Sequence, residues 1–193
     1  MRHARLCVRR KLYSIALLLS FIGTCGWAQS RIASNETPPA SVVQEYCRLD
    51  FEGARLSSQN PDNERISELV TWHIEPGWDT SVVIRTFEIV STSLGPRKSS
   101  VTVRYIVLGN MFGAKITPPR QHEELVTFVL TKSRNAWRIE RPLIVPHASV
   151  PATISETNSL LIDEKDPEQI KRLKAAVDVL TKWKREAGSG KER

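Results

Sequence analysis

TFVLTKSRNAWRIERPLIVPH, residues 127 to 147, is the stretch whose reading decides the fold. After Lys132–Asn135, Trp137 and Ile139 alternate with Arg138 and Glu140, which is the period of a strand and not of a helix, and before it Thr127, Phe128 and Val129 are strand formers. The stretch therefore reads as one strand, a turn and a second strand that carries Trp137. Pro142 and Pro146 end it, because neither has an N–H to give to a ladder. The hairpin forms either the rim of a ligand pocket or only the closing edge of a small bent sheet.

Upstream the same period recurs. Val101, Val103, Tyr105 and Val107 fall on the face opposite Thr102 and Arg104. From Ser81 on, Val83, Arg85, Phe87 and Ile89 alternate with Val82, Ile84, Thr86 and Glu88, and Gly95-Pro96 turns the chain between the two runs. Gly109 to Gln121 reads as a loop, followed by strands over Glu124–Leu130 and Ala136–Arg141. These are long antiparallel strands joined by hairpins.

Helices flank the strands. Ser41 and Gln44 have capping-box spacing, so a helix is predicted to start at Ser41, with Val43, Tyr46, Cys47 and Ala54 as its apolar stripe. Asn60-Pro61 opens a short second helix whose buried side holds Ile66, Leu69, Val70 and Trp72, and Glu75-Pro76-Gly77 stops it. Val150 to Ile162 accommodates a short helix. Asp166-Pro167-Glu168-Gln169 starts another, with Ile170, Leu173, Val177, Leu180 and Trp183 along one side. The polar tail from Gly188 reads as disordered. The domain proper, residues 41 to 150, is long enough to bury about two-thirds of its unfolded surface, and 151 to 187 form a C-terminal helical extension.

The first 28 residues have the layout of a secretory signal peptide. Arg2, Arg5, Arg9, Arg10 and Lys11 precede an uncharged run of 11 residues, Leu12 to Ile22, and Gly26 and Ala28 stand where a signal peptidase reads small residues. Export with cleavage near Ala28 is preferred over a lipoprotein through Cys25, where Thr24 is an unusual neighbour, and over an uncleaved anchor. Residues 29 to 40 then form a flexible polar leader containing the sequon Asn35-Glu36-Thr37, which carries sugar only in a eukaryotic secretory pathway. The whole chain has 28 basic and 21 acidic residues. Without the first 28 residues this becomes 23 against 21, so the high pI reflects targeting and gives no reason to expect nucleic acid. The mature chain offers no membrane span.

Of Cys7, Cys25 and Cys47, only Cys47 remains after cleavage, so no internal disulfide can form, and its place within the first helix predicts burial. His73, His122 and His147 are far apart in sequence, without a second ligand at metal spacing, and no metal is expected.

In element order and aromatic placement, residues 41 to 150 resemble the nuclear transport factor 2-like superfamily, the cone-shaped α+β fold of ketosteroid isomerases, scytalone dehydratase and SnoaL-like cyclases. The stretches that carry the resemblance are SVVQEYCRLDFEGA, residues 41 to 54, and VTFVLTKSRNAWRIERP, residues 126 to 142. The likeness implies an α+β cystatin-like cone: N-terminal helices packed in a strongly bent antiparallel sheet, here followed by a C-terminal amphipathic helix. It also implies a cavity at the wide end, and dimers through the outer sheet face. Fold of this kind does not give function.

Ketosteroid isomerases in this family use an Asp base with a Tyr and a protonated Asp that stabilise an enolate. Through the resemblance, VVQEY points to Tyr46 for the Tyr, and Glu75-Pro76 is the nearest match to the base. The second acid has no counterpart among Val126, Thr127, Phe128 and Val129. The enzyme reading is thus a cofactor-free isomerase or dehydratase using Tyr46 and Glu75. In the bland reading, Tyr46 is a core aromatic and Glu75 a solvated loop carboxylate. His73 and His147 are candidates at the cavity mouth, and Arg85 or Arg104 would attract an anion if either pointed inward.

The binding reading takes Tyr46, Trp72, Trp78, Tyr105, Trp137 and His147 as walls for a small apolar ligand, WHIEPGWD placing two tryptophans beside the opening. The same residues would equally fill a closed cone. In a third reading, the amphipathic helix from Pro167, with Lys171, Arg172, Lys174, Lys182, Lys184 and Arg185 on its polar side, packs on its own domain or on a partner protein. The favoured expectation is an exported, non-catalytic binding or assembly module, with the enzyme as the alternative.

Overall fold

A computed structural model describes residues 37–117, 121–134 and 136–189. The segment read as a signal peptide, the part of the expected leader up to residue 36 and residues 190–193 of the tail lie outside these. The architecture is α+β: a strongly curled six-stranded sheet, with helices on both of its faces.

Helix α1 runs from Pro39 to Phe51, two residues earlier than the capping-box reading. Pro39 at the first helical position supplies a preset φ and lacks an N–H that would be unpaired anyway. The carbonyl of Pro38 already accepts from Ser41 and Val42, so the Ser41 hydroxyl is not the cap. The helix stops at Gly53, whose φ of +92° suits glycine. There the amide of Gly53 donates to Asp50 O and that of Ala54 to Leu49 O, the paired bonds of a Schellman turn. The second helix, α2, is Asp62–Leu69, and Ile66 is its buried residue. Asn60 Oδ1 accepts from the Asp62 amide at 3.0 Å. Val70 and Trp72 lie past its end; Val70 forms a parallel bridge with Ile139.

The strands are β1 (Thr80–Ser93), β2 (Lys98–Phe112), β3 (Lys115–Thr117), β4 (His122–Ser133), β5 (Ala136–Arg141) and β6 (His147–Ser149). Their order across the sheet is β5-β4-β2-β1-β6, with β3 paired to β2. The quoted stretch is the β4–β5 hairpin and its exit.

Three features depart from the strand reading. The sheet is mixed, because β6 runs parallel to β1, with Val82 opposite His147. Residues 142–146 carry the chain from the β5 edge to the opposite edge, where three residues after Pro146 rejoin the ladder. The span read as a loop from Gly109 instead continues β2 to Phe112 and folds back as β3. The period in β1 is also broken by irregularities between Val83 and Ile84, between Ile84 and Thr86, and between Ile89 and Ser91. The unpaired Arg85 between Ile84 and Thr86 shifts the phase, so Phe87 and Ile89 join Val82 and Ile84 on the face toward α1 while Val83 faces the other way. Such irregularities also bend a sheet, and they let a 14-residue strand curl round a helix.

The concave face buries α1. Val43, Tyr46 and Leu49 pack against Val101, Val103, Tyr105, Phe128, Leu130 and Ile139, and the Tyr46 ring meets Phe128 edge to face at 5.5 Å. The opposite face is covered near β1 and β2 by α3 (Val150–Asp163) and α4 (Pro167–Ser189). Ser149 Oγ caps α3 by accepting from the Ala152 amide, and Asp166 Oδ1 accepts from the Glu168 amide at the start of α4. Leu180 and Trp183 of α4 then pack on Val83, Leu108 and Met111. The C-terminal helix therefore lies on its own domain, and it continues through Gly188 to Ser189. Among the described residues, no helix is long and apolar enough to cross a membrane.

Candidate functional site

The Schellman turn at Gly53 reverses the chain at the end of α1 and sends Arg55 back beneath it. Its side chain is 1% exposed, and so is that of Asp50. Arg55 Nη1 donates to Asp50 Oδ2 at 3.2 Å, and Nη2 donates to the Ile144 carbonyl at 2.6 Å. Nε gives its hydrogen to both oxygens of Glu75, at 2.9 and 3.1 Å. Asp50 Oδ2 also accepts from the His147 amide at 2.9 Å. One guanidinium thus joins the end of α1, the loop after α2 and the crossover into β6.

Glu75 is the partly exposed end of this network. Trp72 Nε1 and Trp78 Nε1 each donate to it, at 3.2 and 3.3 Å, so three N–H groups converge on one loop carboxylate. The spacing of three residues on either side of Glu75 in WHIEPGWD places both indoles beside it. A cleft of about 370 Å³ opens there, walled by Leu56, Ile66, Val70, Trp72 and Trp78, with Arg55 and Glu75 at its polar side. A second cleft of about 280 Å³, between Trp78, Pro146 and α3, shares Arg55, Leu56 and Trp78 with the first.

Compared with models of known families, with curated proteins and with solved structures, the chain matches none. The chemistry of the site must therefore be read from its own groups.

Deeper in the core, Tyr46, Asp50 and His147 each present an atom without a hydrogen-bond partner among the described residues: the Tyr46 hydroxyl, Asp50 Oδ1 and His147 Nε2. Burial pushes the Tyr46 hydroxyl well above the usual tyrosine range, against the pull of Arg55, whose guanidinium lies 5.5 Å over its ring. Burial likewise raises Asp50, with Arg55 and the His147 amide opposing it. For Arg55 itself, burial works against the charge, but Asp50, Tyr46 and Glu75 outweigh it and keep the cation firmly protonated. Tyr105 is raised by burial and hydrogen-bonds Cys47 at 3.1 Å; burial drives the Cys47 thiol up to about 12.

His147 Nδ1 lies 2.8 Å from the Val145 carbonyl, which can only accept, so Nδ1 carries the hydrogen. Nε2 is 3.6 Å from Glu124 Oε2, beyond a hydrogen bond but within reach of charge. The imidazole holds the Glu124 carboxyl below its usual range, burial acting the other way.

Of the sequence candidates, Trp72, Trp78 and Glu75 come together at the cleft. Tyr46 and Tyr105 are enclosed among core side chains, and His147 stacks on Tyr105 at a ring separation of 4.5 Å. Trp137 is at the far end of β5, near the Lys132 ammonium at 5.8 Å, two residues before the Val70–Ile139 bridge from which the chain runs on to Trp72. His73 borders the cleft and is exposed. Arg104 stands on the outer sheet face with Glu88 at 2.7 Å. Sequence reasoning missed Arg55 and Asp50. The signal that marks them is the glycine between them: Gly53 ends α1 in a left-handed turn, which points the following residues back toward the helix's buried side.

Proposed function

We propose that the protein is an exported, non-catalytic binding module that takes a small, largely apolar ligand in the cleft between Trp72 and Trp78. The observation that carries this reading is the cleft itself: two indoles and aliphatic side chains around about 370 Å³, interspersed with a comparable polar share from Arg55, Ser58, Asn63, Ser67, His73 and Glu75. That composition suits recognition of a small molecule. The order of elements, two helices followed by long curled strands, supports the nuclear transport factor 2-like likeness, which implies a cavity at the wide end of the cone.

Catalysis by Tyr46 and Glu75 is less well supported. The Tyr46 hydroxyl is enclosed, and the Glu75 carboxylate already accepts from Arg55, Trp72 and Trp78, so neither is free to exchange a proton with a substrate.

A panel of steroid-like and aromatic ligands, titrated while tryptophan emission is followed, tests the reading. A saturable change that disappears in Trp72→Ala and in Trp78→Ala is the expected result. If no ligand in the panel changes the emission, the binding reading is lost, and light scattering over a concentration series then tests self-association. The outer sheet face, where Leu125 is 65% exposed, is the surface to examine. Turnover of a bound ligand that Tyr46→Phe abolishes would restore the enzyme.

A further inference from the structure

We propose that Glu75 is a displaceable internal ligand, and that Arg55 is the binding site for the carboxylate of a small organic acid whose apolar body lies against Trp72 and Trp78. This deepens the binding reading above and rests on it.

The three acceptors around Arg55 are not equivalent. Asp50 is buried in α1, and the Ile144 carbonyl belongs to the crossover backbone; neither can leave without unpacking the core. Glu75 is 23% exposed and sits on a loop whose neighbours His73, Ile74, Pro76 and Gly77 face solvent. It is the one partner that can be exchanged.

Its hold on Arg55 is also incomplete. Both Glu75 oxygens share the single Nε hydrogen, whereas a guanidinium can offer a carboxylate two parallel N–H donors. A free carboxylate, not tethered to the loop, can adopt that better geometry. The exchange leaves the buried cation paired throughout, which avoids the large penalty of an unpaired charge in the core.

The space needed is already outlined. Arg55, Leu56 and Trp78 form the shared wall of the two clefts, and Glu75 lies on the side of the first. When Glu75 swings out from Arg55, Trp72 stays packed on the core and the guanidinium opens to the first cleft beside Trp78. The recognised class is therefore an amphipathic monocarboxylate, chosen over its neutral counterpart by Arg55.

The test compares 4-phenylbutyrate with 4-phenylbutanamide in tryptophan-fluorescence titrations of the full chain. The wild type should bind the acid more tightly than the amide. Glu75→Gln removes the competing charge while keeping size and hydrogen bonding, and should tighten acid binding by about tenfold or more, as expected when a binding-competent state rises from a minor to the main population. The amide should be unaffected. Trp78→Phe keeps the ring but deletes one of the donors to Glu75, and should move acid binding in the same direction by a smaller factor, independently of any folding defect in Glu75→Gln. If the acid binds Glu75→Gln no more tightly than wild type, or the amide gains as much as the acid, the latch is refuted while the cleft remains a binding site. If neither probe binds any form, this inference falls, while the binding reading stands or falls with the wider ligand panel.

Discussion

Replacing Arg55 by methionine should destabilise the fold strongly, and by an amount that depends on pH in a defined direction. Methionine keeps most of the stem's packing but removes all the donors. Asp50, 1% exposed, is left with one amide bond from His147. The Ile144 carbonyl loses its side-chain donor, and Glu75 keeps only its two indoles. Removing one partner of a buried ion pair typically costs about 3–5 kcal/mol.

Asp50 sets the pH dependence. Burial already raises its folded pKa above the ordinary 3.8, with Arg55 pulling it down. A carboxyl raised on folding contributes most below its unfolded value, and that contribution is lost as pH climbs through the folded value. Without Arg55 the folded value rises further, so the variant loses more stability than wild type as pH increases, by about 1.4 kcal/mol for each tenfold weakening of Asp50 as an acid. Urea unfolding followed by tryptophan emission at pH 4.5 and 7.5, with equal slopes checked, gives the difference at each pH. It should be smaller at pH 4.5, and Asp50→Asn introduced into the variant should recover part of the loss at pH 7.5. A loss below about 1 kcal/mol at pH 7.5, the size seen for surface pairs, or one equal at both pH values, would refute the reasoning.

Tyr46→Phe removes a buried hydroxyl that has no partner among the described residues, so urea unfolding should show it neutral or stabilising by up to about 1 kcal/mol; a clear loss would mean the hydroxyl is satisfied. Gly109→Ala places a methyl within 2.8 Å of both the Thr117 carbonyl and the Trp183 ring, and should lower stability by about 1–3 kcal/mol, read as a fall in Tm. Trp183→Ala opens a void between α4 and Gly109; it should cost about 3 kcal/mol or more, and near-native stability would mean that α4 does not hold the sheet. Cys47, buried and with its thiol pushed up to about 12, should be unreactive toward Ellman's reagent at pH 8 until urea is added. Comparison with Cys47→Ala isolates its share from those of Cys7 and Cys25.

What was legible in the sequence is what local periodicity encodes. Strand formers at 127–129, a polar turn and the alternation of 137–140 specify a hairpin because side chains on a strand take opposite faces in turn, and that holds whatever lies around it. Asp166-Pro167 marks the start of α4 for equally local reasons: an amide needs an acceptor and proline needs no amide partner. The tryptophan spacing around Glu75 placed both indoles near one loop, and the structure brings them to one cleft. Phase and burial were not local. Irregular pairing at Arg85 put Phe87 and Ile89 on the face opposite Val83, and a parallel partner for His147 exists only because residues 142–146 cross to the other edge of the sheet. Asp50 and Arg55 gave no local sign of burial, because isolated charges ordinarily stay in water, and only the curled sheet, by enclosing them with Ile144 and the His147 amide, supplies the partners that let them be buried.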